Sequence, residues 1–176
     1  ETMAALKRAT KVIRLVANQG GIIVYVGTTG NNEQKRAIEE AARRLNGYYV
    51  SRRWLPGTIT NFKEVTKQVD NKLRMEVNMG DEPTLRELDA ESYSKVLKPD
   101  LVVILNPVEN RNCINECISS RVPTIGLCDT NMEPSLLTYP IPCNDDLMRA
   151  SSLITGVLLR SARDGVRERQ ALFAAQ

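Results

Sequence analysis

The sequence predicts a doubly wound α/β fold, in which helices cover both faces of a mostly parallel sheet of about five strands. Short apolar runs, typical of strands buried on both faces, alternate with segments of helical periodicity. Glycine, asparagine and proline separate the two kinds of segment. The chain has 176 residues, which is enough for one domain with a substantial core.

The N-terminal part of the chain is predicted to form a helix followed by a βαβ unit. Residues Thr2–Gln19 place apolar side chains at helical spacing, and the glycine pair that follows ends a helix well. Ile22–Val26 and Tyr48–Val50 are predicted strands, and Asn31 or Asn32 can cap a helix between them. The apolar positions of that helix are Ala37, Ile38, Ala41, Ala42 and Leu45. Two strands joined by a helix in this way run parallel.

The middle of the chain is predicted to begin with the loop Ser51–Thr60 and a helix that Thr60 or Asn61 can cap. The apolar positions of this helix are Phe62, Val65, Val69 and Leu73. Helical patterning then weakens over residues 76–98, where 79–83 is predicted to be an exposed connection and 92–97 a short helix. Leu101–Leu105, with the sequence LVVIL, is the clearest strand pattern in the chain because every residue in it is apolar.

The C-terminal part of the chain alternates in the same way. Asn110–Ser120 is a predicted helix and Thr124–Cys128 a predicted strand. The core-facing positions of that helix are predicted to be Ile114, Cys117 and Ile118. Tyr139–Ile141 is predicted to be an edge strand because it contains a proline. Leu147–Arg163 is a predicted helix. Its core-facing positions are predicted to be Leu147, Ala150, Ile154, Val157 and Leu158.

Composition limits the classes of protein to which the chain can belong. It has four cysteines and no histidine, which excludes Ser-His-Asp and Cys-His catalytic groups. Buried, reduced thiols are favoured over a four-thiolate zinc site, since only Cys113 and Cys117 have the close spacing of zinc ligands. The net charge of +3 is too weak to indicate nucleic acid by itself. No apolar run approaches the ~20 residues that a membrane span needs.

Ligands of doubly wound sheets gather where the strands end, and several polar loops follow predicted strands here. The loop at 27–30 could cradle a phosphate, but it matches neither G-x-G-x-x-G nor a P-loop, and a tight turn is favoured. Acidic residues near the strand ends could hold Mg²⁺, with turn and cap chemistry favoured. They are Glu109, Asp129, Glu133, Asp145 and Asp146. One hypothesis is therefore a small nucleotide- or Mg²⁺-binding enzyme that uses the Gly27–Asn31 loop and these carboxylates.

The loop SRRWLPGTITNF, residues 51–62, combines the only tryptophan of the chain with two arginines. Arg52 and Arg53 offer planar, bidentate donors for phosphate. Trp54 can stack on a base or pack inward, and a core position is favoured for its ring. We expect Trp54 and Leu55 to pin the loop to the sheet, and the two arginines to face phosphate or a protein partner.

Five stretches of the sequence occur together in one order. They are GGIIVYVGT (20–28), YVSRRWLPGTITNF (49–62), PDLVVILNPVEN (99–110), VPTIGLCDTNMEP (122–134) and YPIPCNDD (139–146). Together they resemble small-subunit ribosomal protein two, the S-two family of bacteria and organelles. The resemblance covers the chain from Thr2 to about Gly165. RWLPGTITN, DTN and PIPCNDD in combination are very specific to that family.

Departures from the bacterial pattern of this family indicate its mitochondrial branch. Pro56 stands where bacterial members usually carry glycine, Arg52 where they carry histidine, and Thr29 where they carry a basic residue. The long helical hairpin of bacterial members is reduced to residues 76–98. The proline and the shortened hairpin resemble mitochondrial members. We therefore expect a protein of the mitochondrial matrix, with the bacterial cytoplasm as the alternative.

The resemblance implies a structural part of the small ribosomal subunit with a flavodoxin-like sheet and no enzymatic activity. The implied partners are small-subunit rRNA and other small-subunit ribosomal proteins, and no cofactor, small-molecule substrate or membrane is expected. The implied organisation is a single α/β domain over residues 1–165, with the shortened insertion at about 76–98. A basic C-terminal tail would follow at 166–176.

Two sets of residues are singled out. Basic residues are expected to contact rRNA phosphates or protein partners, although a solvated helix face is an open alternative for each of them. These residues are Lys7, Lys11, Arg14, Lys35, Arg36, Arg52, Arg53, Arg160, Arg163 and Arg167. Residues of the family motifs are expected to have structural roles. They are Gly27, Trp54, Gly57, Thr60, Asn61, Asp129, Thr130, Asn131, Pro142, Asn144, Asp145 and Asp146.

Overall fold

The computed structural model of the chain describes residues 1–28, 48–51, 53–61, 98–144 and 147–174. The helix predicted between the first two strands, the helix predicted after Asn61 and all of the predicted insertion except Lys98 lie outside these residues. None of the helices in the described ranges is long and apolar enough to cross a membrane.

A parallel sheet of five strands forms the centre of the described structure. The strands are β1 (Ile23–Val26), β2 (Tyr48–Val50), β3 (Leu101–Ile104), β4 (Thr124–Cys128) and β5 (Tyr139–Pro142). They lie in the order β2-β1-β3-β4-β5, and each neighbouring pair is parallel. This is the strand order of flavodoxin-like sheets, and the predicted fold class is confirmed.

Three α-helices fall within the described residues. They are α1 (Thr2–Asn18), α2 (Arg111–Ser119) and α3 (Met148–Ala174). The helix α3 continues past the predicted end at Arg163, because Val166 still packs against the core and the next turns remain beside α1. The division into a domain over 1–165 and a tail over 166–176 stays a prediction.

The two faces of the sheet carry separate hydrophobic clusters, because side chains alternate along each strand. On one face, Tyr25 and Val103 pack with residues of α1 and α3. On the other face, Val26 and Ile104 pack with residues of α2 and with Trp54. Helices therefore cover both faces of the sheet, as the doubly wound prediction requires.

Three predicted core positions are wrong. Ile118 is 52% exposed, because α2 turns Ile114 and its neighbours toward the sheet instead. Leu147 is 55% exposed and precedes the first residue of α3, so helical spacing does not apply to it. Val157 is 37% exposed and lies at the rim of the buried stripe that contains Leu158.

The strand β5 lies at the edge of the described sheet, as its proline predicts. The register pairs Tyr139 with Ile125, and the N–H of Cys143 donates to the carbonyl of Cys128 at 3.0 Å. N–H groups alternate in direction along a strand. Pro140 and Pro142 therefore occupy the positions whose N–H groups would point away from β4. The missing N–H groups therefore cost the sheet no hydrogen bond.

The helices α1 and α3 approach each other closely at Gly165. A Cβ at this position would collide with the carbonyl oxygen of Arg14 and lie 3.0 Å from Cβ of Ala17. Nearby, Nε of Arg14 donates to Oε2 of Glu168 at 3.1 Å. The contact between the backbones therefore depends on the absence of a side chain at Gly165.

Replacing Gly165 with alanine should lower the free energy of unfolding by about 1–3 kcal/mol, because the added methyl group overpacks the contact between α1 and α3. Gly156→Ala is the matched control, since a Cβ at this position of the same helix has no atom within 4 Å. The control should raise the free energy of unfolding by about 0.5–1 kcal/mol through helix propensity. Urea denaturation measures both values, and a stabilising effect at both positions would contradict the close contact.

Candidate binding surfaces

The loop that follows β2 is held against α2 by one buried carboxylate. Glu116 of α2 is 9% exposed. Its Oε1 accepts hydrogen bonds from Nε1 of Trp54 at 3.0 Å and from the N–H of Gly57 at 2.8 Å. Its Oε2 accepts from the N–H of Ile59 at 2.9 Å. We call these four residues the Glu116 clamp.

The tryptophan ring anchors the loop as well as contributing to the clamp. Trp54 is 5% exposed and packs in the cluster that contains Val26 and Ile104, so both its ring and its indole N–H are satisfied. Ile59 packs against the same cluster. Leu55 is 43% exposed, and the expectation that it pins the loop is wrong.

A tight turn brings Gly57 to the carboxylate. The N–H of Thr58 donates to the carbonyl of Leu55 at 3.1 Å, and Gly57 has φ of +90°. Proline before a glycine with positive φ is the signature of a type II turn, in which Pro56 pre-sets the backbone angle of its own position. The proline that departs from the bacterial pattern therefore has a local structural role.

The clamp places Arg53 at the surface. Arg53 is exposed, while the tryptophan beside it is buried. Thr60 and Asn61 are exposed at the end of the turn, and the N–H of Asn61 donates to the carbonyl of Gly57 at 2.7 Å. Arg52 lies outside the described residues, so only one of the two predicted arginines can be located.

A second network joins the end of β1 to the loop after β3. Oδ1 of Asn106 accepts from the N–H of Thr28 at 3.1 Å, and its Nδ2 donates to Oε2 of Glu109 at 2.6 Å. Nδ2 of Asn110 donates to Oγ1 of Thr28 at 2.9 Å and to Oδ1 of Asn106 at 2.8 Å. We call these four residues the Asn106 network. Asn106 and Asn110 are buried, so the network locks two neighbouring strand ends together.

Other residues of the predicted motifs also take part in hydrogen bonds with backbone groups. Gly27 is buried, and its N–H donates to the carbonyl of Val50 at 3.0 Å. Oδ1 of Asp129 accepts from the N–H of Thr130 at 2.6 Å, while Asn131 is exposed in the same turn. These contacts belong to turns that follow β1 and β4, and the turn of Asp129 and Thr130 also borders a cavity of about 310 Å³.

The start of α3 is capped by a side chain. Oδ1 of Asn144 accepts from the N–H of Leu147 at 2.9 Å, while Pro142 ends β5. Asp145 and Asp146 lie outside the described residues. Within the described ranges, no group of three cysteine, aspartate or glutamate side chains is arranged to hold a metal ion.

Two cysteines of α2, Cys113 and Cys117, are free thiols. Cys113 and Cys117 lie one turn apart on α2 and are fully buried in the cluster around Trp54. A hydrogen bond to Cys117 and then burial raise the pKa of the Cys113 thiol. A protonated, buried thiol behaves as a small core residue.

The predicted basic residues of α1 and α3 lie on exposed faces of these helices. Lys7, Lys11 and Arg14 are exposed on α1, at a spacing that places them on one side of the helix. Arg14 pairs with Glu168 of α3. The exposed arginines of α3 also share one face, and they are Arg160, Arg163 and Arg167. Lys35 and Arg36 lie outside the described residues.

The structure does not bring all the predicted basic residues together. The loop of Arg53 packs through Trp54 on the face of the sheet that carries α2. The basic residues of α1 and α3 belong to the helices on the opposite face. These residues therefore form at least two separate surfaces.

Sequence reasoning missed Glu116, Asn106 and Asn110 as organising residues. A signal for Glu116 was present, because it lies at core-facing spacing between two cysteines of α2. Asn106 and Asn110 are four residues apart across the start of the same helix. Their partner Thr28 is distant in sequence, and no local pattern predicts that contact.

The described polar groups at the carboxyl edge of the sheet bond to one another and to loop backbone, and basic side chains line the helices. This arrangement defines an α/β protein with a flavodoxin-like parallel sheet. The family model of ribosomal protein S2 matches residues 1–165. The chain belongs to the ribosomal protein S2 family, and the resemblance found in the sequence is confirmed. This family is not enzymatic, as the sequence predicted.

Individual relatives agree with this assignment. The chain is 39% identical over 98% of its length to the small ribosomal subunit protein uS2m of Schizosaccharomyces pombe. It is 41% identical over 99% of its length to the protein of the same name from Neurospora crassa. It is 29% identical over 94% of its length to the small ribosomal subunit protein uS2 of Mesoplasma florum, of which it covers 68%. The chain spans 63% and 39% of the lengths of the two fungal relatives.

Replacing Glu116 with glutamine should lower the free energy of unfolding by about 1–3 kcal/mol, because an amide NH₂ then faces one of the three N–H donors. Glu116→Ala should cost more, since all three donors lose their buried acceptor. Glu133→Gln is the control for a carboxylate that is exposed, and its effect should stay within about 0.5 kcal/mol. Urea denaturation measures these values, and a Glu116→Gln variant as stable as the control would show that the clamp is dispensable.

Replacing Asn110 with aspartate should lower the free energy of unfolding by about 2–4 kcal/mol, because a carboxylate would face the oxygens of Thr28 and Asn106 and leave a buried charge unpaired. Asn112→Asp is the matched control on the exposed side of the first turn of α2, where a negative charge favours the helix N-terminus. Thermal unfolding compares the two variants. The Asn106 network is refuted as a stabilising element if both melt at the temperature of the parent protein.

Proposed function

We propose that the protein is a structural constituent of the small subunit of a mitochondrial ribosome, where it binds rRNA and neighbouring ribosomal proteins. The observation that carries this proposal is the identity of 39% and 41% to two fungal uS2m proteins over nearly the whole chain. Because the chain spans only part of the length of those relatives, the proposal concerns the role of the α/β unit that it contains.

Contact with rRNA is supported by the exposed arginines of α3. Arg160, Arg163 and Arg167 follow one another along a single helix face. Guanidinium groups bind phosphate oxygens through paired donors, and recognition of folded RNA depends largely on phosphate and shape. Lys7 and Lys11 on the neighbouring helix α1 extend the positive surface. We propose these side chains, together with Arg53, as the rRNA-facing residues.

Contact with neighbouring proteins is supported by large apolar side chains that the helices leave exposed. Leu15 of α1 is 60% exposed, and Leu153 and Phe173 of α3 are 70% and 69% exposed. The net charge of the chain is only +3, which is modest for a protein that meets RNA alone. A surface that mixes exposed arginine and leucine suits a position shared between RNA and protein.

The proposed location is the mitochondrial matrix, where a mitochondrial ribosome works. The name uS2m of the two fungal relatives supports this location. The relative from Mesoplasma florum is bacterial, and the bacterial cytoplasm is the alternative. Fractionation of cells that produce a tagged protein distinguishes the two locations.

Replacing Arg163 and Arg167 together with glutamine should weaken binding to small ribosomal subunits, because two phosphate-binding guanidinium groups are lost. The logarithm of the affinity decreases with the logarithm of the salt concentration, and the magnitude of this slope should decrease by about 0.7–0.9 for each lost phosphate contact. The measurement is cosedimentation of the full chain with isolated small subunits over a series of salt concentrations.

The control for this experiment is Lys98→Gln with Arg111→Gln, which removes the same charge from exposed positions outside α1 and α3. The parent protein and the control should both sediment with the small subunit. A double variant of α3 that binds with unchanged salt dependence contradicts the rRNA-facing role of this helix. Failure of the parent protein itself to sediment with small subunits contradicts the proposed function.

A further inference from the structure

A cavity of about 290 Å³ lies between the end of α1, the strands β1 and β2, and the C-terminal half of α3. About half of its lining is apolar, with Ala17, Ile23 and Val166 among the contributing side chains. The lining also contains the phenol of Tyr25 and the guanidinium of Arg169. Among the described lining residues, Arg169 carries the only formal charge, and the carboxylate of Asp100 lies beside the lining residue Ile22, from whose N–H it accepts a hydrogen bond.

Two hydrogen-bond donors in this lining are buried without partners. The hydroxyl of Tyr25 has no hydrogen-bond partner, although the residue is only 2% exposed. Nε of Arg169 is likewise buried and without a partner. Buried polar groups are nearly always paired in folded proteins, because an unpaired one loses its hydrogen bonds to water without compensation. An acceptor group that reached these two donors from the cavity would satisfy both.

The backbone is shaped to hold the guanidinium at the cavity wall. Gly20 follows α1 with φ of +79°, a conformation that favours glycine. A Cβ at Gly20 would collide with Nη1 of Arg169. The glycine thus serves both the turn and the close approach of the arginine.

We propose that this cavity binds a carboxylate on an apolar stem, presented by a neighbouring protein as an acidic side chain or as its chain terminus. A carboxylate has two acceptor oxygens, which matches the guanidinium and the phenol as donors. The apolar lining suits the stem that carries it. Burial raises the pKa of the Tyr25 phenol, so the hydroxyl keeps its proton and remains a donor.

A phosphate of the rRNA backbone fits this cavity less well. A phosphodiester has a bulky ribose on each side, and it would have to shed its hydration to reach a side chain as buried as Tyr25 in a space of about 290 Å³. The identification of the neighbour as a small-subunit protein rests on the proposed function. The proposal that the cavity binds a carboxylate does not rest on the proposed function. It can be tested on the full chain without ribosomes.

The test is an NMR titration of the full chain that follows the Nε–H resonance of Arg169. The probes are isocaproate, which has an apolar stem and a carboxylate, its neutral analogue isocaproamide, and inorganic phosphate. Isocaproate should shift the resonance saturably and bind at least about tenfold more tightly than either other probe, because a hydrogen bond to a charged group is the stronger one. Equal binding of the amide, or tighter binding of phosphate, overturns the carboxylate assignment.

Variants separate a ligand site from a structural role. Arg169→Gln should abolish saturable binding of isocaproate, and Tyr25→Phe should weaken it about tenfold. The matched controls are Arg160→Gln on the exposed face of the same helix and Tyr49→Phe on β2, and both should bind like the parent. Tyr25→Phe should also leave the unfolding midpoint unchanged or higher, because it removes an unpaired hydroxyl. A Tyr25→Phe variant that loses stability but binds isocaproate normally overturns the proposal.

Discussion

The Glu116 clamp is the interaction on which the arrangement of the loop after β2 depends. A carboxylate removed from water must be compensated by donors, and one loop supplies all three through an indole and two backbone N–H groups. The loop has no regular secondary structure to hold it, so its geometry follows from the carboxylate and the tryptophan. Arg53 owes its exposed position to the burial of its neighbour. A residue of α2 thus determines what the loop presents to a partner.

Polar networks, exposed charge and the cavity lie at different parts of the sheet. At the described part of the carboxyl edge, where many flavodoxin-like sheets bind small ligands, the Asn106 network bonds the polar side chains after β1 and β3 to one another. Several exposed basic residues lie on α1 and α3, which cover one face of the sheet. The cavity with unpaired donors lies under these same helices.

The sequence predicted the strands and the α/β fold class because the patterns that indicate strands are local. LVVIL and the proline of β5 each specify their own environment, and the Leu-Pro-Gly-Thr segment contains the signature of its turn. The errors arose where the deciding contact is distant. Ile118 is exposed because α2 rotates to bring Glu116 to a loop whose tryptophan lies 62 residues away in sequence. The length of α3 was predicted wrongly because the many charged residues after Arg160 weaken the apolar pattern of a helix that still packs on α1.

The position of α1 and α3 along the chain has a consequence for biosynthesis. These helices cover the same face of the sheet, yet one precedes every described strand and the other follows them all. Until α3 is synthesised, α1 is the only described helix that can cover this side of β1, β3 and β4. Part of that apolar surface stays exposed in the meantime, and contacts between such distant parts of a chain form slowly. Docking of α3 is therefore expected to be a late step in folding, preceded by a state that is prone to aggregation.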